Sequence, residues 1–274
     1  MSEPGGRGGA EPLTCEVAII GGTGLYDPGV LEDARASMVT TPHGVVEVFL
    51  GRHGGRGVAF LPRHGTGHSV PPHRVNYRAN AWALSRLGVR SVFATAACGS
   101  LTERIAPGSL CLLDQFLDFT RGRPSTFYDG GDTGVRHTDM SEPYCPELRQ
   151  TLAAAARAAG VPLGAAATYV CTEGPRFETP AEIRAYAQLG GEVVGMTGVP
   201  EVVLAREAGL CYASVAIATN YAAGKAGRPL HHDEVVAAMD AATGSVRRLL
   251  LDAVAALPPG RRCATCAPAP EPAG

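Results

Sequence analysis

"CYASVAIATN", residues 211–220, is the stretch on which the fold reading turns. It is a short apolar run with the β-branched residues Val215 and Ile217 near its centre. Such a run reads as a strand buried on both faces. It ends in a carboxamide, Asn220, followed by the small residues of "YAAGK" (221–225). A neutral amide with one donor edge and one acceptor edge can read a ligand, or it can simply tie up a turn.

The same signature recurs outward along the chain. "EVAIIGG" (16–22), "RSVFATAACGS" (90–100), "SLCLLDQFLDF" (109–119), "ATYVCTEG" (167–174) and "EVVGMTG" (192–198) also read as buried strands. Between them lie stretches with apolar residues at helical spacing: 75–88, 145–160, 179–190, 200–209 and 232–257, several ending in glycine. Strands alternating with helices predict an α/β fold, a sheet covered on both faces. No linker or repeat divides the chain, so one domain is expected over 14–257, between a loose N-terminal tail (1–13) and a Pro/Ala-rich C-terminal tail (258–274). Ligands of such folds sit outside the carboxyl ends of the strands. That directs attention to Thr23, Arg63, His64, Ala97, Glu173, Arg176 to Glu178, Met196, Thr197 and Asn220.

Composition narrows the function classes. The chain has 274 residues, 45% hydrophobic and 18% charged, with a formal net charge of -2. That balance gives no reason to expect a nucleic-acid or membrane partner. No apolar stretch reaches the ~20 residues of a transmembrane helix, and residues 1–12 carry no signal-peptide core, so a cytoplasmic protein is expected. Lys225 is the only lysine. Of the eight cysteines, Cys15, Cys98, Cys111, Cys171 and Cys211 sit in or beside apolar runs, as buried thiols do. Cys263 and Cys266 form a C-x-x-C in the tail, with no second pair and no strand–helix context. No metal site is expected there.

Four further stretches carry candidate chemistry, each with a plainer reading beside it. "IIGGTGLYD" (19–27) runs a strand into a glycine turn that could cradle a phosphate with Thr23, or be only a tight turn. Asp27 stands where a dinucleotide fingerprint would need glycine. "LPRHGTGHSVPPHRVNYRAN" (61–80) sets Arg63 beside His64, an anion site in which the guanidinium fork matches two phosphate oxygens. His64 and His68 are four residues apart, but Gly65 and Gly67 argue against a helical metal pair. In "TEGPRFETP" (172–180), Glu178 either supports the start of the next helix or accepts N–H groups from a base stacked on Phe177. In "VVGMTGVPEVVLARE" (193–207), Met196 packs, and Thr197 caps a helix or donates to an anion.

Taken in order, "GGTG", "RHG…H…P…VNYRAN.WAL", "ACGSL", "TEGPRFET", "GMTGVPEVVLAREAGLCYAS" and "TNYAAGK" resemble the trimeric purine nucleoside and methylthioadenosine phosphorylase family over residues 16–255. The resemblance implies a single α/β domain around a mixed, partly barrel-like sheet. It implies phosphorolysis of a purine nucleoside to the free base and a sugar 1-phosphate, with inorganic phosphate as co-substrate and no metal or organic cofactor. Purine salvage would be the setting. The family's phosphate site falls on Thr23, Arg63, His64, Ala97 and Thr197. Ala96 replaces a hydroxyl residue of the methylthioadenosine enzymes beside it.

The resemblance also separates the branches. The 6-aminopurine branch resembles "TDYD" where this chain has Asn220, Tyr221 and Ala222. An amide there suits a 6-keto oxygen and N7. "GPRFET" resembles the 6-oxopurine branch, whose glutamate, here Glu178, accepts from N1–H. "HHDEVVAAM" puts His232, or His231 by a shifted alignment, where that branch binds the ribose 5'-hydroxyl. "SEPYC" aligns His137 with a residue lent to the neighbouring subunit's sugar site, which implies a homotrimer. The expected activity is therefore a 6-oxopurine nucleoside phosphorylase, with Asn220, Glu178 and His64 as catalytic groups and Phe177, Met196, Tyr221, Ala222, His232 and His137 around the substrate. S-methyl-5'-thioinosine or S-methyl-5'-thioadenosine phosphorylase activity, and a non-catalytic nucleoside-binding protein on the same fold, are the alternatives.

Overall fold

The computed structural model describes residues 14–22, 25, 28–225, 227, 232–263 and 265–266. Nine strands form one mixed sheet: β1 (Val17–Gly21), β2 (Glu32–Thr41), β3 (Gly44–His53), β4 (Arg56–Pro62), β5 (Ser91–Ser100), β6 (Leu110–Phe119), β7 (Leu163–Thr172), β8 (Val193–Gly195) and β9 (Cys211–Tyr221). Their order is β2-β3-β4-β1-β5-β8-β7-β6-β9. β5 pairs with β9 as well as β8, so β5, β8, β7, β6 and β9 close into a ring. The mixed, partly barrel-like sheet expected from the sequence is present.

The centre is parallel: β1 runs alongside β4 and β5, and β5 alongside β9. β1, β5 and β9 are almost wholly buried, which is why they read as continuous apolar runs. The edge differs. β2 and β3 form an antiparallel hairpin, mostly exposed or half-buried, that the sequence reading did not expect. A strand with one wet face needs few apolar residues, and "EDARASMVTT" has few.

Five helices cover the sheet: α1 (Tyr77–Arg86), α2 (Pro146–Ala159), α3 (Pro180–Gln188), α4 (Gly198–Glu207) and α5 (His232–Ala256). Ala79, Ala83 and Leu84 of α1 and Val202 and Ala205 of α4 pack in one core layer. Leu148 and Leu152 of α2 and Leu249, Leu250 and Val254 of α5 pack in the other. Each fully buried leucine or valine contributes about 1.5–3 kcal/mol before the entropy of ordering it is subtracted.

One boundary needs correcting. Within residues 258–263 and 265–266, expected as loose tail, Gly260, Arg261, Cys263 and Cys266 are tied to the body, although most of the segment is exposed. Gly260 N–H donates to Glu16 (2.9 Å), Arg261 pairs with Glu147 (2.7 Å), and Cys266 is buried. The tail is held at the strands' N-terminal ends, by Ser91 of β5 and beside Cys145 (3.3 and 3.6 Å from Arg261). Residues 1–13 lie outside the described residues. No described helix is long and apolar enough to cross a membrane.

Candidate active site

A cavity of about 450 Å³ opens where β4, β5, β8 and β9 end. Its lining brings together Arg63, His64, Ala97, Phe177, Glu178, Met196, Thr197, Asn220 and Ala222, drawn from segments far apart in the chain. Three expected residues are placed elsewhere. The Ala96 side chain packs in the core, because alternate residues of β5 face opposite ways. Tyr221 is half-buried outside the lining, and His137 is exposed on a loop. Thr23 and His231 lie outside the described residues, as does the His232 side chain. Val235, in the same helix start, does line the cavity.

Asn220 owes its aim to a break in the ladder. Cys98 pairs with Ala218 and Gly99 with Asn220, so Thr219 is an extra residue in β9. Such bulges re-aim side chains at functional sites. The Asn220 Nδ2 donates to the Tyr221 carbonyl (2.8 Å), and Oδ1 accepts from the Thr219 hydroxyl (2.7 Å). A carbonyl only accepts, so the nitrogen must face Tyr221. Among the described residues nothing takes its other N–H or its second acceptor lone pair, which can serve a ligand.

Glu178 is not needed to start α3. Thr179 and Glu182 form the complete capping box there, and Arg176 grips Glu182 (2.9 and 2.7 Å). Glu178 instead turns inward, 9% exposed, and accepts from the Thr172 hydroxyl (2.6 Å). Burial pushes its carboxyl above the ordinary value, and the Thr172 bond partly opposes this. No described residue forms an ion pair with it. A buried carboxylate with one hydrogen bond is costly until a donor arrives.

The anion end shows how Arg63 is held. The Arg63 fork expected for phosphate is already occupied: Nε and Nη2 bind the two Glu201 oxygens (2.6 Å each), and Nη1 donates to the Thr95 carbonyl (2.9 Å). Tyr212 also donates to Glu201 (2.6 Å). A guanidinium this deeply buried needs a counter-charge. Burial opposes the charge on Arg63, and Glu201 more than offsets it. Among the described residues, two of the five guanidinium N–H bonds have no partner. Gly22 permits the packing, since a Cβ there would sit 2.8 Å from Arg63 Nη1.

His64 is neutral at ordinary pH. Burial first, then the charge of Arg63, pulls it down to about 4. Its Nδ1 lies 2.8 Å from the Val70 carbonyl, so Nδ1 carries the proton and Nε2 is an acceptor. His64 and His68 stack, centroids 4.5 Å apart, and do not converge as metal ligands. The Gly22 turn is closed by Leu25 N–H to the Gly22 carbonyl (3.0 Å), while Gly22 N–H goes to Thr95 (3.1 Å). Thr197 stands at the N-cap of α4, but its hydroxyl caps nothing. Tyr169 takes the Thr197 and Gly198 N–H groups instead (3.2 and 3.3 Å).

Two organising residues escaped the sequence reading. Glu201 sits 138 positions from Arg63, so nothing local marks the pair. Arg123 donates to the carbonyls of Thr172, Glu173, Met196 and Val199 (2.6–3.2 Å), tying the loops after β7 and β8 together.

Residues 16–255 match the sequence profile of the Phosphorylase superfamily. The chain belongs to that family. It is 53% identical to the 6-oxopurine nucleoside phosphorylase of Pyrococcus furiosus over 252 residues, covering 90% of this chain and 95% of that one. It is 50% identical to a probable S-methyl-5'-thioinosine phosphorylase of Methanopyrus kandleri, with coverage of 90% and 95%. The fold matches methylthioadenosine phosphorylase from Schistosoma mansoni in complex with adenine, at a TM-score of 0.84 and 40% identity over 88% of this chain and 91% of that one. Family membership accounts for a mixed sheet with its polar residues gathered at the strand ends.

Proposed function

We propose that this phosphorylase-superfamily member cleaves 6-oxopurine nucleosides with inorganic phosphate, giving the base and ribose 1-phosphate. The observation that carries the reading is Glu178: a buried carboxylate with no ion-pair partner among the described residues, lining the same cavity as an amide with a spare donor and a spare acceptor. A 6-oxopurine offers N1–H to the carboxylate. Its O6 accepts from the amide N–H, and once N7 of the departing base has taken a proton from water, N7–H donates to the amide oxygen. The 6-oxopurine relatives at about half identity support the same assignment.

In this mechanism the C1'–N9 bond lengthens first, leaving positive charge on the ribose and negative charge on the purine. Asn220, whose N–H donates to O6, binds the base more strongly as that charge develops, while Glu178 holds N1–H and fixes the orientation of the base. Phosphate sits against Arg63, His64, Ala97 and Thr197, on the opposite face of the sugar. The neutral Nε2 of His64 accepts from a phosphate O–H, and the phosphate oxygen then adds to C1'. Because Arg63 is neutralised by Glu201, its unspent N–H bonds and the Thr197 hydroxyl hold the anion by hydrogen bonds rather than net charge.

A second reading keeps the base and changes the sugar. The thioinosine relative and the apolar Val235 in the lining favour it, while His232 at the helix start favours a 5'-hydroxyl. Phosphate-dependent assays on inosine, guanosine, methylthioinosine and methylthioadenosine in parallel decide. Turnover of methylthioadenosine alone would reject the 6-oxopurine assignment. The exposed His137 belongs, in this proposal, to a neighbouring subunit's sugar site in a homotrimer, and the enzyme works in the cytoplasm.

A further inference from the structure

Four of the eight thiols, Cys15, Cys98, Cys111 and Cys171, are spread through one core layer. The other four converge. Cys145 precedes α2, Cys211 opens β9, and Cys263 and Cys266 come from the tail. Their sulfurs all lie within 4.8 Å of one another. We infer that these four thiols form a structural zinc(II) site that clamps the C-terminal tail to the body.

The geometry fits the ion. Zn–S bonds of about 2.3 Å in a tetrahedron put sulfurs about 3.8 Å apart. Cys145 Sγ and Cys263 Sγ are 3.7 Å apart. A disulfide would need about 2.05 Å and would join only two sulfurs. Three chain segments bring four to one point.

The surroundings supply donors to thiolates and one carboxylate: Cys263 Sγ donates to Glu147 Oε1 (3.2 Å), a bond given up on metal binding, which leaves Glu147 to Arg261. Cys266 N–H donates to Cys263 Sγ (3.2 Å), and Arg261 Nη2 approaches Cys145 Sγ (3.6 Å) while pairing with Glu147 (2.7 Å). Such outer groups orient ligands and offset charge. Four thiols binding one Zn²⁺ release four protons to solvent and leave a dianionic centre beside the Arg261–Glu147 ion pair. Cys145, Cys211 and Cys266 are buried, so the site is closed, as structural zinc sites are. It is remote from the reaction: Cys211 and Asn220 mark opposite ends of β9, roughly 30 Å apart.

The test uses the full chain, purified under reducing conditions without chelator. Elemental analysis should find one zinc per chain. Exchange with cobalt(II) should give the thiolate-to-cobalt charge-transfer and intense visible bands of a tetrahedral tetrathiolate. A C263S/C266S variant should lose both signals and become more sensitive to trypsin at Arg261, which the intact tail holds against Glu147. Phosphorolysis of inosine should stay unchanged. C111A, at a thiol outside the cluster, should keep the metal. Three results would overturn the site: no zinc or cobalt spectrum after reduction and reconstitution, equal metal loss in C111A, or disulfides among these four cysteines in protein taken directly from cells.

Discussion

At the scale of single residues, the site is a problem in proton placement. Glu178 must be ionised to accept N1–H, and burial raises its pKa. The carboxylate is therefore lost as pH falls through a value above that of an ordinary glutamate. The acid limb of kcat/KM for inosine should begin correspondingly early. Glu178→Gln should remove that limb and lower kcat/KM roughly 10- to 100-fold, the worth of a hydrogen bond to a charged group. An unmoved limb would assign the titration elsewhere. Asn220 presents a different problem, because the Tyr221 carbonyl demands a donor beside it. Asn220→Asp must place a proton on the acid or set oxygen against oxygen. With its single proton turned to N7 rather than to Tyr221, the acid donates to N7 and accepts from a 6-amino group, so the ratio of adenosine to inosine turnover should rise at least about tenfold. An unchanged ratio would mean the amide does not read the base. Both side chains were legible in the sequence because each sits at a strand or helix end where the surrounding pattern breaks. Their alternatives were not separable there. Only the capping box made by Thr179 and Glu182 frees Glu178 from a structural duty.

At the scale of elements, legibility follows solvent exposure. β1, β5 and β9 announce themselves because both faces are buried. The β2–β3 hairpin, open to solvent, leaves only a faint alternation. Pairs between distant elements leave no trace at all. Arg63 follows β4 and Glu201 lies in α4, and their ion pair has side-chain exposures of 1% and 5%. Glu201→Gln would strand the guanidinium charge in the core at a cost of about 3–5 kcal/mol. For a chain of this size each kcal/mol lowers Tm by about 2–4 °C. Added phosphate should recover part of the loss, since an anion bound beside Arg63 restores a counter-charge and ligand binding stabilises the native state. The readout is Tm of wild type and variant across a phosphate titration. A variant no more phosphate-sensitive than wild type would show that Arg63 does not face the bound anion.

At the scale of the whole molecule, the cavity and His137 do not belong together within one chain. The base and phosphate residues line one hollow, whereas His137 stands exposed on the loop between β6 and α2. If it completes a neighbour's sugar site in a closed ring, every site combines Glu178 of one subunit with His137 of the next. Two crippled variants then become complementary. In trimers reassembled from equal amounts of Glu178→Gln and His137→Ala, a site has both native residues when its own subunit is the histidine variant and its neighbour the glutamine variant. Random mixing makes that roughly a quarter of the sites. Activity on inosine should therefore rise after co-refolding well above the mean of the two separate variants. Sites confined to single chains can never combine two intact halves, so activity pinned at that mean would return His137 to the surface.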